Sequence, residues 1–396
     1  MTLRSTHRIA YICTDPELEL GGNGQAARNF CGLARGLRGE GADVAPFVTC
    51  RSGAVERTLP GVRVVPPAHH DESDRIATLL DNSRALVSAL SVAGPFDMVV
   101  EQLSQCGTAG REFARAAAIP LVLRVTERLW EGAETLRSVG SQRVATALCI
   151  DVLRAADLIS VPHDGLARAI TRLGVARSRI LIQPAGVDLK SFESATAAPI
   201  PHRLADGPSV LTVLERDQPT AVSLLAEAVE ALASRRPVTL QIATSGVEAS
   251  ALARGLAKRR PELFHTEQLP VGVALGGLFL SADAVVSHAA PLPGCRSDDL
   301  ALFGAIATRR PLVVGKSDET VSWTVGIPGV RFFRPCQADD LALALELSLD
   351  RDDRSWPATA EHVRSRLDWS ARARDLLSAL GQLSTRVASH PPSRAT

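Results

Sequence analysis

The sequence predicts an α/β protein made of two doubly wound, Rossmann-like domains facing each other across a cleft, on three observations. Short apolar runs alternate with longer segments whose apolar residues recur every three or four positions. The alternation comes in two series, separated by a stretch rich in Pro and small residues. At 396 residues, the chain is also longer than one small core requires.

The first series places strands at Arg8–Thr14, Val44–Thr49, Asp97–Glu101, Pro120–Val125, Asp157–Val161 and Arg179–Ile182. The second places them at Val210–Leu214, Val238–Ala243, Asp283–Ser287, Pro311–Val314 and Val330–Phe333. Helices fill the intervals. One is expected over Gly24–Leu37, with Ala27, Phe30, Leu33, Ala34 and Leu37 on a single face. Another starts near Pro219 and buries Val222, Leu225, Val229 and Leu232, with Asp217 as its expected cap. Strand–helix alternation of this kind predicts parallel sheets with right-handed crossovers. The domain limits read as 1–193, a linker over 194–208, a second domain over 209–368, a helix over 369–383 and an unstructured tail over 384–396. The cleft between two such domains is the expected ligand site.

Hydrophobic residues make up 45% and charged residues 22%, the balance of an ordinary globular protein. The formal net charge of +1 argues against nucleic acid or an anionic membrane as the main partner. Seven cysteines stand singly, with no metal-ligand or CxxC spacing, so reduced and mostly buried thiols are expected. The N-terminus shows no signal-peptide core, and the longest apolar stretch, Val271 to Ala282, is too short to span a bilayer. A cytoplasmic protein without an integral membrane segment is the expectation.

Gly21-Gly22-Asn23-Gly24 stands between the first strand and the first helix. Such a turn presents free N–H groups and the positive end of a helix dipole, which suits a phosphate. A tight turn without a ligand explains the same glycines. Gly22, Gly24 and Ala27 also fit the dinucleotide pattern GxGxxA, but Asp15 to Leu20 intervene after the strand, and Arg51 rather than an acid follows the second strand. An NADPH-binding oxidoreductase is therefore the third of three functional readings.

Beyond these residues the chain resembles the large retaining glycosyltransferase family numbered four, over nearly its whole length. The stretch IAYICTDPELELGGNGQAARNFCGLARGL resembles the family's first strand, phosphate loop and first helix, and FDMVVEQLSQCGTAGREFARAAAIPLVLRV the middle of its acceptor domain. AADLISVPHDGLARAITRLGVARSRILIQPAGVDLKSF resembles the run into the domain junction, with Gly186, Val187, Asp188 and Phe192 in place. LQIATSGVEASALARGLA, SADAVVSHAAPLP and VRFFRPCQADDLALALELSL follow the donor domain in order. The resemblance implies a GT-B fold, a nucleoside-diphosphate sugar as donor, a small polar acceptor, and transfer with no metal and no separate cofactor.

Four signature side chains depart from the family pattern. Where it places an Arg and a Lys after the first donor-domain strand, Glu215 and Thr220 stand, with Leu214 for its Gly. Where it places two glutamates before the turn Ala307-Thr308-Arg309-Arg310-Pro311, Arg296 and Gly304 stand. The cations would neutralise the diphosphate; the carboxylates would accept hydrogen bonds from sugar and ribose hydroxyls. Losing two charge-assisted hydrogen bonds of about 1.5–3 kcal/mol each forfeits on the order of 3–6 kcal/mol, or about two to four decades in rate or affinity. Arg216 and Arg296 are candidate replacements for the cations, and Asp298 and Asp299 for the hydroxyl acceptors. Arg216, Asp298 and Asp299 also read as solvated groups at helix starts.

The expected donor-phosphate residues are therefore Gly21, Gly22, Gly24 and Arg216, and the nucleotide and sugar residues Gly246, Arg296, Asp298 and Asp299. In the acceptor domain Glu101, Glu127 and Arg128 stand at carboxyl ends of strands, where such folds place ligands, and His163 reads as a loop histidine. Glu127, Arg216 and Arg296 are the catalytic candidates. The resemblance extends to transferases of actinobacterial secondary metabolism that decorate aminocyclitols, which implies a deoxysugar or furanose donor lacking hydroxyls. The second reading is a catalytically silent homologue that partners and stabilises an active transferase; a partner glycosyltransferase or a homodimer is the expected protein partner.

Overall fold

The computed structural model describes residues 7–14, 18, 25–49, 59–67, 75–131, 139–197, 207–215, 217–270, 273–287, 300–350 and 358–389. The chain forms two compact units, one of Met1–Pro184 with Trp369–Thr396 and one of Ala185–Asp368. The C-terminal segment thus belongs to the first unit.

The first unit is built on seven strands: β1 (Arg8–Cys13), β2 (Asp43–Thr49), β3 (Arg63–Val65), β4 (Met98–Gln102), β5 (Leu121–Arg124), β6 (Leu158–Val161) and β7 (Ile180–Ile182). Their order is β3-β2-β1-β4-β5-β6-β7, and the pairs are parallel. The order reverses direction between β1 and β4, which fixes a topological switch point at their carboxyl ends. On one face lie α1 (Gln25–Gly39) and α14 (Trp369–Ser389), packed against each other. Tyr11 of β1 stacks on Phe30 of α1 with ring centroids 4.3 Å apart. Gly32 and Gly36 of α1 allow this close packing, because a Cβ at either position would overlap Trp369 of α14. The other face carries α2 (Arg75–Ala93), α3 (Ala109–Ala117), α4 (Val139–Ala155) and α5 (Asp164–Arg172) over a core of Ile12, Val99, Leu123 and Ile159. Strands covered on both faces are near-continuous apolar runs, as the sequence shows.

The second unit repeats the plan. Its strands are β8 (Ser209–Leu214), β9 (Thr239–Thr244), β10 (Phe264–Gln268), β11 (Ala284–Ser287), β12 (Leu312–Gly315) and β13 (Val330–Phe333), ordered β10-β9-β8-β11-β12-β13 and all parallel. The switch point lies between β8 and β11. Helices α7 (Pro219–Ala233), α8 (Val247–Arg259) and α12 (Ala338–Leu349) share one core with β8, β9 and Phe333. Pro219 opens α7, and Val222, Leu225, Val229 and Leu232 are wholly buried as the helical spacing predicts. Also in this unit are α6 (Leu189–Glu193), α9 (Val273–Ser281), α10 (Leu300–Ala307), α11 (Asp318–Thr324) and α13 (Ala358–Ser365). Phe192 of α6 meets Phe279 of α9 edge-on at 5.8 Å. Val187 pairs beside Asp368, its N–H donating to Leu367 O at 2.8 Å, so the chain's entry and exit from this unit run side by side.

Two strands escape the sequence reading. β3 is three residues long, and β10 is an edge strand whose Glu267 and Gln268 are exposed. Asp217 is a correction. The N-cap of α7 is Gln218, without a side-chain bond, and Asp217 instead accepts from the backbone N–H groups of Glu248 at 2.9 Å and Ala249 at 2.7 Å, capping α8. Cys13, Cys31, Cys106 and Cys149 are buried reduced cysteines and Cys336 an exposed one; Cys50 and Cys295 lie outside the described residues.

Candidate functional site

In the first unit the β1/β4 switch point gathers polar side chains. Thr14, just past β1, and Ser104, just past β4, are joined hydroxyl to hydroxyl and are buried. Glu101 is on β4, one residue from its end. Side chains alternate faces along a strand, and Glu101 shares the face of Val99, beneath the start of α3. It is fully buried, and Gly107 and Gly110 make its space: a Cβ at Gly107 would lie 3.3 Å from Oε1, and one at Gly110 would overlap Oε2. Neither carboxylate oxygen has a hydrogen-bond partner. Burial pushes this carboxyl up to about 8; the nearby Gly110 N–H, outside hydrogen-bonding geometry, offsets that only in part. At neutral pH the group is protonated and turned inward beneath the start of α3.

The end of β5 carries the other candidates. Glu127 is half-buried, and Arg128 is exposed and donates to Glu131 at 2.9 Å. That pair is solvent-exposed on both sides and contributes roughly 0–1 kcal/mol. His163 is the N-cap of α5, its Nδ1 accepting from the Leu166 N–H at 3.2 Å. That bond gives it a structural role at the start of the helix.

Sequence reasoning missed Arg124, the last residue of β5. It is 4% exposed, and its Nη1 donates to the Tyr11 hydroxyl and to the Asn29 carbonyl, both at 3.4 Å. Its guanidinium lies 5.8 Å from the centroid of a Trp369 ring. Burial pushes Tyr11 up to about 12 although Arg124 pulls the other way. The available signal was a charged residue ending the apolar run Leu121-Val122-Leu123.

In the second unit the β8–α7 connection is tied to the start of α8. The Ser245 hydroxyl donates to Glu215 O at 2.9 Å, and the Asp217 carboxylate holds two α8 N–H groups. These bonds hold the Asp217 carboxyl below its ordinary range. Gly246 makes the approach feasible, since a Cβ there would lie 2.6 Å from Asp217 Cα. The α8 N-terminus beside Gly246, expected to face a nucleotide, is thus already capped by a carboxylate. Thr220 is exposed on the first turn of α7.

Arg309, in the turn Ala307–Pro311, adopts a left-handed φ of 56°, a conformation that favours glycine. Counting back from that turn reaches Gly304 on α10, where a Cβ would overlap the Phe279 ring. A side chain at this position requires Phe279 to move. Gly21, Gly22, Gly24, Arg216, Arg296, Asp298 and Asp299 lie outside the described residues. No group of His, Cys, Asp or Glu that could hold a metal occurs among the described residues.

A family model described as a glycosyl transferase 4-like domain matches residues 24–186. No curated protein gives a significant match. Solved structures match along nearly the whole chain. A glycosyltransferase from Rickettsia africae is 13% identical, with 96% of this chain and 99% of that one covered and a TM-score of 0.69. The sucrose-phosphate synthase of Thermosynechococcus elongatus is 17% identical, with coverage of 96% and 100% and a TM-score of 0.67. Anabaena HepE in complex with UDP-glucose is 18% identical, with coverage of 97% and 100% and a TM-score of 0.62. The fold is therefore the two-domain, Rossmann-like GT-B fold.

Proposed function

We propose that the chain is a glycosyltransferase that moves a sugar from a nucleoside-diphosphate donor to a small polar acceptor. The observation that carries this reading is the whole-chain likeness to GT-B structures, one of them holding UDP-glucose. A match to a glycosyl transferase 4-like domain in the first half agrees with it. In the reaction the bond between the sugar's C1 and the diphosphate oxygen breaks, and the electron pair leaves with the diphosphate. The acceptor hydroxyl oxygen bonds to C1, and its proton passes to the departing phosphate. Gly21, Gly22, Gly24 and Arg216 are the proposed phosphate contacts, and Gly246, Arg296, Asp298 and Asp299 the proposed nucleotide and sugar contacts. Glu127 and Arg128 serve the acceptor, and no separate cofactor is required.

Gly304 bears on the donor. With Phe279 packed against it, this position supplies no carboxylate for a sugar or ribose hydroxyl. A deoxysugar or furanose donor suits such a site, and the setting that fits is natural-product assembly in the cytoplasm. Among the described residues no helix is long and apolar enough to cross a membrane. Incubation with a panel of nucleotide sugars, measuring release of the nucleoside diphosphate, tests the reading. Turnover of a deoxysugar nucleotide but not of UDP-glucose is expected; equal turnover of both removes the rationale.

A second reading, a catalytically silent homologue that stabilises an active transferase, draws on Asp217. Its carboxylate occupies the α8 N-terminus and, with Glu215, makes the β8–α7 connection acidic. Co-purification with a second transferase would support it. Turnover by this chain alone excludes it.

A further inference from the structure

Arg124 is a buried cation for which the described residues supply no carboxylate. Of the other buried charged side chains among the described residues, Arg364 pairs with Glu193 and Glu361 in the second unit, Arg372 of α14 is a further cation, and Glu101 is the only acid. Glu101 cannot neutralise Arg124. In the β4–β5 register Glu101 lies beside Leu123, and Gln102 beside Arg124. Alternation then puts Glu101 on the α3 face of the sheet and Arg124 on the opposite face, with Tyr11, α1 and α14.

The described groups that Arg124 touches through its guanidinium, the Tyr11 hydroxyl, the Asn29 carbonyl and the Trp369 ring, are neutral. Two hydrogen bonds at 3.4 Å and an aromatic face at 5.8 Å are weak compensation for taking a full charge out of water. Its Nε has no acceptor. Gln102, its neighbour on β4, has a buried Oε1 with no donor. On the far side, the Ser160 hydroxyl donates to Gln183 Oε1 at 3.4 Å, and Gln183 Nε2 donates to Arg372 O of α14 at 2.8 Å. Arg124 and Gln102 end their strands, so this polar layer reaches the carboxyl edge of the sheet, the edge at which such folds take ligands.

We propose that Arg124 anchors a binding site for an anionic group, a phosphate monoester or a carboxylate, carried by the acceptor. The guanidinium presents two donors in a plane and matches either group bidentately. The inference rests on the glycosyltransferase reading for the word acceptor; the anion site itself stands without it.

The test is thermal unfolding of the full chain titrated with inorganic phosphate and, separately, with acetate, against sodium chloride at matched ionic strength. The expected result is a rise in the first unit's midpoint with phosphate or acetate that sodium chloride does not reproduce. Whichever anion acts identifies the acceptor's group. Arg124→Gln should weaken that binding by about ten- to a hundredfold, the loss of one charge-assisted contact. No rise in the wild-type chain, an equal rise with sodium chloride, or an undiminished rise in R124Q overturns the proposal. The wild-type titration decides the matter even where R124Q folds poorly. Nucleoside diphosphates titrated in parallel separate the two ideas: their binding stands or falls with the donor site, whatever Arg124 does.

Discussion

Glu101→Gln is expected to raise the stability of the first unit at pH 8 and to change it little at pH 5. The wild-type carboxyl is fully buried, without hydrogen-bond partners, and pushed up to about 8 in the folded chain, against 4.5 for the free side chain. Between those values the unfolded chain has released its proton and the folded chain has kept it. Stability therefore falls as pH rises through that window, by about 1.4 kcal/mol per pH unit, to a total of about 5 kcal/mol. Below pH 4.5 both states are protonated and the effect vanishes; above 8 it levels off. Glu112 and Arg111 of α3 act on the group in opposite directions and weakly beside burial. Gln is neutral throughout and nearly isosteric, so the variant removes the pH dependence and keeps the packing. Calorimetry of both proteins from pH 5 to 8.5 reads the difference. For a unit of this size the wild-type midpoint should drop relative to the variant by about 3–6 °C per pH unit. A difference between the two proteins that does not change with pH would refute the reasoning and place a charged, compensated Glu101 in the fold.

Three further outcomes follow from the packing. Gly304→Ala should lower the second unit's stability, read by denaturant unfolding, by roughly 1–3 kcal/mol, because its Cβ meets Phe279, and Phe279→Leu in the same chain should recover part of the loss. Asp217→Ala should cost about 1–2 kcal/mol by uncapping α8, with D217N retaining most of it; amide hydrogen exchange at Glu248 and Ala249 is the readout. Gly32→Ala should displace the Trp369 indole and loosen α14 from α1, seen as a red shift in tryptophan emission and a loss of roughly 1–3 kcal/mol. An unchanged emission would mean that the helix pair accommodates the methyl group.

The strand positions were legible because strands buried on both faces, such as Val210–Leu214, are continuous apolar runs with helices of 3.6 periodicity between them. β10 was not, because an edge strand needs no apolar outer half and Phe264-His265-Thr266-Glu267-Gln268 has none. The turn at Arg309 was located from its neighbours, and its left-handed φ fits a tight turn there although the residue is not glycine. Asp217 was misread because capping logic is local, whereas its partner helix begins about thirty residues on in the next βα unit. Glu101 and Arg124 both stand near carboxyl ends of adjacent strands. Only the register of β4 against β5 reveals that they face opposite sides of the sheet, and that neither neutralises the other.

The central claim, that this GT-B chain binds an activated sugar, is tested most directly by thermal unfolding of the purified protein with UDP, GDP, dTDP, ADP and NADPH in turn. A ligand at a hundred times its dissociation constant adds about 2.7 kcal/mol, which raises the midpoint of a unit this size by several degrees. The account predicts that shift for one nucleoside diphosphate and none for NADPH. No shift with any nucleoside diphosphate would contradict it and leave the silent partner as the reading to pursue.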